Sequence, residues 1–152
     1  IPEGYVPAAE QRMDLYRRIA ALRTPADEAD LMDELLDRYG DVPKPVTALL
    51  NVAMLRAAAM ETGITDITQK GRQLIFSFDM RIEPAALLAV CGMAGYRDRL
   101  QLAAGASPKL TLFLQPREDA LDAAGGLVEQ LRLQQNELQL QGQQPQEGGN
   151  EP

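Results

Sequence analysis

Near Gly63 the apolar residues change their spacing, and that change limits the fold more than any other feature of the chain. Before it they recur three and four apart, the period of helices that bury one face. After it they fall in short β-rich runs separated by turn residues. A chain ordered this way is predicted to be α+β: an N-terminal three-helix unit, then β-hairpin, helix, β-hairpin and helix.

The opening "IPEGYVPAAE" is expected to be extended, with Tyr5 and Val6 available for packing. The first helix is predicted from Ala8 to Leu22, with Met13, Tyr16, Ile19 and Ala20 on its apolar face and Leu15 and Leu22 at the edges. Thr24 as N-cap, Pro25 at the first helical position and Asp27 three residues after the cap predict the start of a second helix. Gly40 is its expected left-handed C-cap, with Pro43 beyond. The third helix is predicted from about Pro45 to Thr62, burying Val46, Leu49, Leu50, Ala53, Ala57 and Met60, with Gly63 closing it. Leu35, Leu36, Leu49, Leu50 and Ala53 are expected to join the second and third helices.

Beyond Gly63, "ITDIT" and "QLIFSF" form one expected hairpin with Gly71 in its turn, and "RLQLAA" and "KLTLFL" form another across "GASP". Pro84 opens a short helix between them, and "PREDALDAAGGLVEQLRL" is a last helix weakened by Gly125 and Gly126. Residues 1–133 read as one domain. Residues 134–152 hold seven glutamines and three glycines with three acids and no base, which predicts a disordered tail. The first residue is Ile1, as expected of a fragment or a processed product.

Composition narrows the function. Net charge is −7, the wrong sign for a protein that gains affinity by neutralising phosphates, and it suits a basic protein surface instead. The sequence has no histidine, which removes the commonest general base and the commonest metal ligand together. Without tryptophan, base-stacking platforms are not expected either. The lone Cys91 sits in "LLAVCGM" and reads as a buried small hydrophobe, and a single cysteine fits a reducing cytosol. No apolar run is long enough for a membrane span. These features predict a cytoplasmic, monomeric, non-enzymatic domain without cofactor or metal.

The second helix carries six carboxylates between Asp27 and Asp37 and then a single arginine, Arg38. At about 100° per residue, Leu31, Met32, Leu35, Leu36 and Tyr39 form one apolar arc, and Asp30, Glu34 and Asp37 line up opposite it. Acids near the N-terminus are helped by the helix dipole, but Glu34 and Asp37 lie in the last two turns, where the dipole disfavours them. Two readings follow: a solvated face, or a ridge that docks on a partner's arginines. A metal or acid–base site is the weakest, because two carboxylates without a third ligand make a poor cage.

The stretch "DELLDRYGDVPKPVTALLNVAMLRAAAMETGI" resembles the C-terminal domain of bacterial transcription-repair coupling factor (Mfd). The matching positions include Glu34, Leu35, Asp37, Arg38, Tyr39, Gly40, Pro43, Leu49, Leu50, Arg56, Gly63 and Ile64. Upstream, "YVPAAEQRMDLYRRIA" is similar to the family's lead-in through Tyr5, Pro7, Arg12, Tyr16, Arg18 and Ile19. The family often has Asp and Arg where this chain has Asn51 and Met54, so charged contacts at those two positions do not carry over. The resemblance implies a parent that is an ATP-driven, cytoplasmic DNA translocase, which displaces stalled RNA polymerase and recruits UvrA. It implies a non-catalytic domain that docks on the UvrB-like N-terminal module of the same chain and masks the surface UvrA binds. The family's docking carboxylates fall on Glu34 and Asp37, with Asp30 and Arg38 alongside. A free-standing acidic adaptor or nucleic-acid-binding module with the same helices is the alternative.

Overall fold

The computed structural model describes residues 1–143. The element order is α+β as expected: α1 (Ala9–Ala20), α2 (Pro25–Tyr39), α3 (Lys44–Glu61), β1 (Ile64–Lys70), β2 (Gln73–Phe78), α4 (Pro84–Cys91), β3 (Leu100–Ala103), β4 (Lys109–Phe113) and α5 (Ala120–Gln143). The chain divides into two compact units, Ile1–Glu61 and a second that begins at Thr62.

In the first unit the lead-in is not extended. The backbone N–H groups of Tyr5 and Val6 both donate to the Pro2 carbonyl, so the chain turns and places Val6 fully inside. Arg12 fixes the turn by donating to the carbonyls of Val6 and Pro7 at 2.8 and 2.9 Å. The Tyr5 hydroxyl donates to the carbonyls of Leu35 and Gly40, and its ring lies 5.6 Å from that of Tyr39. Val6, Leu15, Ile19, Leu22, Leu31, Leu35, Val46 and Leu50 make one buried cluster.

That cluster corrects the expected helix faces. Leu15, Ile19 and Leu22, four and three apart, are the stripe that α1 and its exit bury, whereas Met13, Tyr16 and Ala20 are exposed. In α2 the buried residues are Leu31 and Leu35; Met32 and Tyr39 are half-buried and Leu36 is 46% exposed. In α3 Val46, Leu50 and Ala57 are buried, Leu49 and Ala53 half-buried, and Met60 exposed. In α2 and α3 a short helix in a small unit meets its neighbours along one narrow stripe, and apolar residues at the arc's margin stay wet. In α1 the buried stripe is centred on the expected edge, Leu15 and Leu22, and the expected face lies beside it.

Local chemistry sets the ends of α2 as expected. Thr24 Oγ1 accepts from the Asp27 N–H at 3.1 Å, and the Asp27 carboxylate accepts from the Thr24 N–H at 3.1 Å, which closes a capping box behind Pro25. Bonds from Thr24 and Arg23 hold the Asp27 carboxyl below its ordinary range. Gly40 ends the helix at φ 82°, ψ −158°. Its φ is positive as expected, but its ψ lies outside the left-handed helical region, in a conformation that is essentially glycine's own.

The second unit is a four-stranded antiparallel sheet in the order β1-β2-β4-β3 with α4 and α5. Both expected hairpins are present, and β2 joins them by pairing with β4 so that Leu74 faces Leu112 and Phe76 faces Leu110. Leu74, Phe76, Phe78, Leu110 and Leu112 are buried, as are Leu87 and Val90 of α4 and Leu127, Val128 and Leu131 of α5. Cys91 at the end of α4 is half-buried, and desolvation pushes its thiol up. Gly63 sits at φ 79°, and a Cβ there would meet the Ile82 N at 3.1 Å and Asp79 Oδ1 at 3.0 Å. Gly63→Ala is therefore expected to cost about 1–3 kcal/mol, combining the positive φ with a close backbone approach, as read from urea denaturation midpoints.

The C-terminal tail needs correction. Residues 134–143 continue α5, where a disordered segment is expected from Gln134 onwards. Gln135 is only 6% exposed; its Oε1 accepts from the Glu83 N–H at 3.2 Å and its Nε2 donates to the Arg81 carbonyl at 3.4 Å. One of these glutamines thus supplies the partner that the N-terminal end of α4 lacks in Glu83, whose own side chain makes no capping bond. The remainder of that expected tail, residues 144–152, lies outside the described residues.

Candidate docking face on the second helix

The four residues singled out on α2 do not behave alike. Glu34 lies on the flank of the buried Leu31–Leu35 stripe, and Arg18 of α1 reaches it there. Arg18 Nη1 donates to Glu34 Oε1 at 3.1 Å and its Nη2 donates to Oε2, so the guanidinium grips both carboxylate oxygens. Arg38, one turn further along α2, donates from Nη1 to Oε1 at 3.2 Å. The bond from Arg18, reinforced by that from Arg38, holds the Glu34 carboxyl down at about 2 from an ordinary 4.5. The Arg38 guanidinium also lies 5.3 Å from the centre of the Tyr39 ring.

Asp30 and Asp37 differ from Glu34. Both are exposed and make no ion pair among the described residues. Asp33 is exposed in the same way, and Leu36, which sequence patterning assigns to the core, stands among these acids. The ridge of three therefore separates into one carboxylate committed within the unit, Glu34, and two that face solvent. Two participants have other places in the sequence reading, Arg18 in the lead-in and Leu36 in the core. Arg18 is sixteen residues from its partner, and only its place beside the apolar face of α1 hints at it. Leu36 falls on the margin of an arc that looks continuous in projection.

Because the folded Glu34 carboxyl titrates at about 2 and the free side chain at 4.5, its contribution to stability is complete above the unfolded value. It is lost as pH falls through about 4.5 towards 2. Glu34→Gln is expected to flatten the fall in melting midpoint over that window, and matched thermal melts at pH 6, 4 and 2.5 check it.

Among the described residues no group of three cysteine or carboxylate side chains could hold a metal ion, and no helix is long and apolar enough to cross a membrane. The architecture is that of a domain already solved. A solved structure described as the C-terminal domain of transcription-repair coupling factor overlays with a TM-score of 0.74, covering 90% of this chain and 88% of that one at 19% identity. The sequence places the chain further. A family model for the TRCF domain matches residues 1–86, more than half of the chain, and the chain belongs to the TRCF domain family. It is 32% identical over 92 residues to the transcription-repair-coupling factor of Escherichia coli (strain K12), covering 59% of this chain and 8% of that protein. It is 41% identical over 68 residues to the Mycobacterium tuberculosis (strain CDC 1551 / Oshkosh) transcription-repair-coupling factor, covering 45% of this chain and 6% of that protein. The chain thus spans less than a tenth of these relatives.

Proposed function

We propose that this chain is a non-catalytic regulatory domain of a transcription-coupled DNA repair translocase. Through the solvent face of α2 it docks on the UvrB-like N-terminal module of the same protein and masks the surface that UvrA binds. The parent acts in the cytoplasm on DNA and stalled RNA polymerase. The observation that carries this reading is the row of unpartnered carboxylates, Asp30, Asp33 and Asp37, inside the segment that matches the TRCF domain family. Exposed carboxylates with no cation paired to them attract a basic surface, and their charge pairs at the rim of an interface are each worth about 0.2–1 kcal/mol. Contacts of that size suit a latch that must open. Joined in one chain, the two bodies meet at a high effective concentration, so weak docking holds until a competitor arrives.

Charge reversal at Asp30 and Asp37 separates docking from folding, because neither side chain has a partner within the unit. Asp30→Lys with Asp37→Lys is expected to weaken binding of this chain to the isolated UvrB-like module by roughly tenfold. Raising salt should weaken the wild-type complex too, since exposed charges are screened over about 8–10 Å at physiological ionic strength. Isothermal titration calorimetry at two salt concentrations reads both effects. Unchanged affinity in a folded double variant would return α2 to a merely solvated face.

A further inference from the structure

The docking face carries its own internal competitor. Arg18 reaches Glu34 from α1 and occupies both carboxylate oxygens, and Arg38 takes a second acceptor position on one of them. An arginine from outside that sought the same forked contact would find both oxygens engaged. Asp30 and Asp37, a turn to either side on the same helix, have no such occupant. From this juxtaposition we infer that Arg18 sets the strength of docking at α2: it fills the Glu34 carboxylate in the undocked domain and must be displaced by a guanidinium of the docking partner. The inference rests on the docking reading given above and adds the element that regulates it.

Two further features of the first unit fit an exchange of partners. The Arg18 and Glu34 side chains retain 40% and 34% of their exposure, so the pair is open to an incoming cation. Asp14 stands one turn before Arg18 on α1, and both line a depression of about 230 Å³ together with Glu10, Arg38 and Tyr39. A displaced Arg18 therefore has a second carboxylate within its own helix face, and its charge is not left bare. When the partner leaves, Arg18 returns to Glu34, and the undocked domain is spared an uncompensated acid in the penultimate turn of α2. In a closed cycle, the free energy of the internal pair is subtracted from that of docking. Removing the internal competitor should then tighten docking by the factor that one partly exposed pair supplies, about two- to fivefold.

The experiment compares Arg18→Gln with Arg17→Gln in the 152-residue chain, each titrated into the isolated UvrB-like module. Arg17 is the adjacent exposed arginine, so the two variants change net charge equally and only one removes the forked contact on Glu34. Arg18→Gln should tighten docking two- to fivefold while Arg17→Gln leaves it near wild type, and adding Glu34→Gln should abolish the gain from Arg18→Gln. Carboxyl-detected NMR titration of the chain alone should show Glu34 rising from about 2 towards 4.5 in Arg18→Gln, a change that a general loosening of the fold would not confine to this residue. If Arg18→Gln left docking unchanged or weakened it, while Asp30→Lys with Asp37→Lys still impaired it, Arg18 would not compete and the docking reading would stand. If none of the carboxylate variants altered docking, both would fall.

Discussion

Replacing Leu50 with alanine will destabilise the N-terminal unit by about 2–5 kcal/mol. Leu50 is 1% exposed and lies in the cluster that joins α3 to Leu15, Ile19, Leu31, Leu35 and the lead-in residue Val6. The loss has two parts: apolar area returned to water on unfolding is smaller, and the cavity left behind strips contacts from its lining. A unit of 61 residues has few other large buried side chains to absorb the change. At roughly 4–8 °C per kcal/mol for a body of this size, the melting midpoint of the first unit should fall by about 10 °C or more. Leu36→Ala, about 100° around α2 from Leu35 and 46% exposed, should shift it little. Circular dichroism melts of the two variants side by side decide whether the faces drawn for α2 and α3 are right.

The second large effect concerns the end of α5. Cutting the chain after Leu133 removes ten residues of helix, among them Gln135, whose side chain bonds the Glu83 N–H and the Arg81 carbonyl. Both backbone groups would be left without that partner in a part-buried setting, a loss of about 1–3 kcal/mol in itself. Half-buried Leu138 goes with them. The melting midpoint of the second unit should therefore drop by several degrees, and Gln135→Ala in the intact chain should reproduce the larger part. A truncated chain that melts with wild type would mean that residues 134–143 add no stability.

What was legible in the sequence was mostly local. Thr24, Pro25 and Asp27 build the start of α2 from groups within four residues, and Gly71 marks the first hairpin turn for the same reason. The switch from helices to strands at Gly63 follows from the change of hydrophobic period, and the backbone there is held at a positive φ. What escaped depends on partners far along the chain. Gln135 meets Glu83 across fifty-two residues, and a glutamine-rich segment read alone gives no sign that one of its amides will be buried. Glu34 meets Arg18 across sixteen, so a carboxylate that projects opposite the apolar arc becomes a link between helices. The misplaced margins Leu36 and Met60 have a different origin, since periodicity does not give the width of a face. In α1 the direction itself differs, because Leu15 and Leu22, expected at the edges, are buried and Met13 and Tyr16, expected on the face, are exposed.

This division also changes how the docking face should be tested. Reversing Glu34 would set a third cation beside Arg18 and Arg38, so a loss of docking could reflect a loosened first unit. Asp30 and Asp37 carry no such burden. The most direct measurement is therefore UvrA binding by a full-length transcription-repair coupling factor carrying this domain with Asp30→Lys and Asp37→Lys, in the absence of RNA polymerase. The latch account predicts that the double variant captures UvrA markedly better than wild type while the melting midpoint of the isolated domain is unchanged. UvrA binding as poor as wild type, in a variant that folds normally, would contradict it.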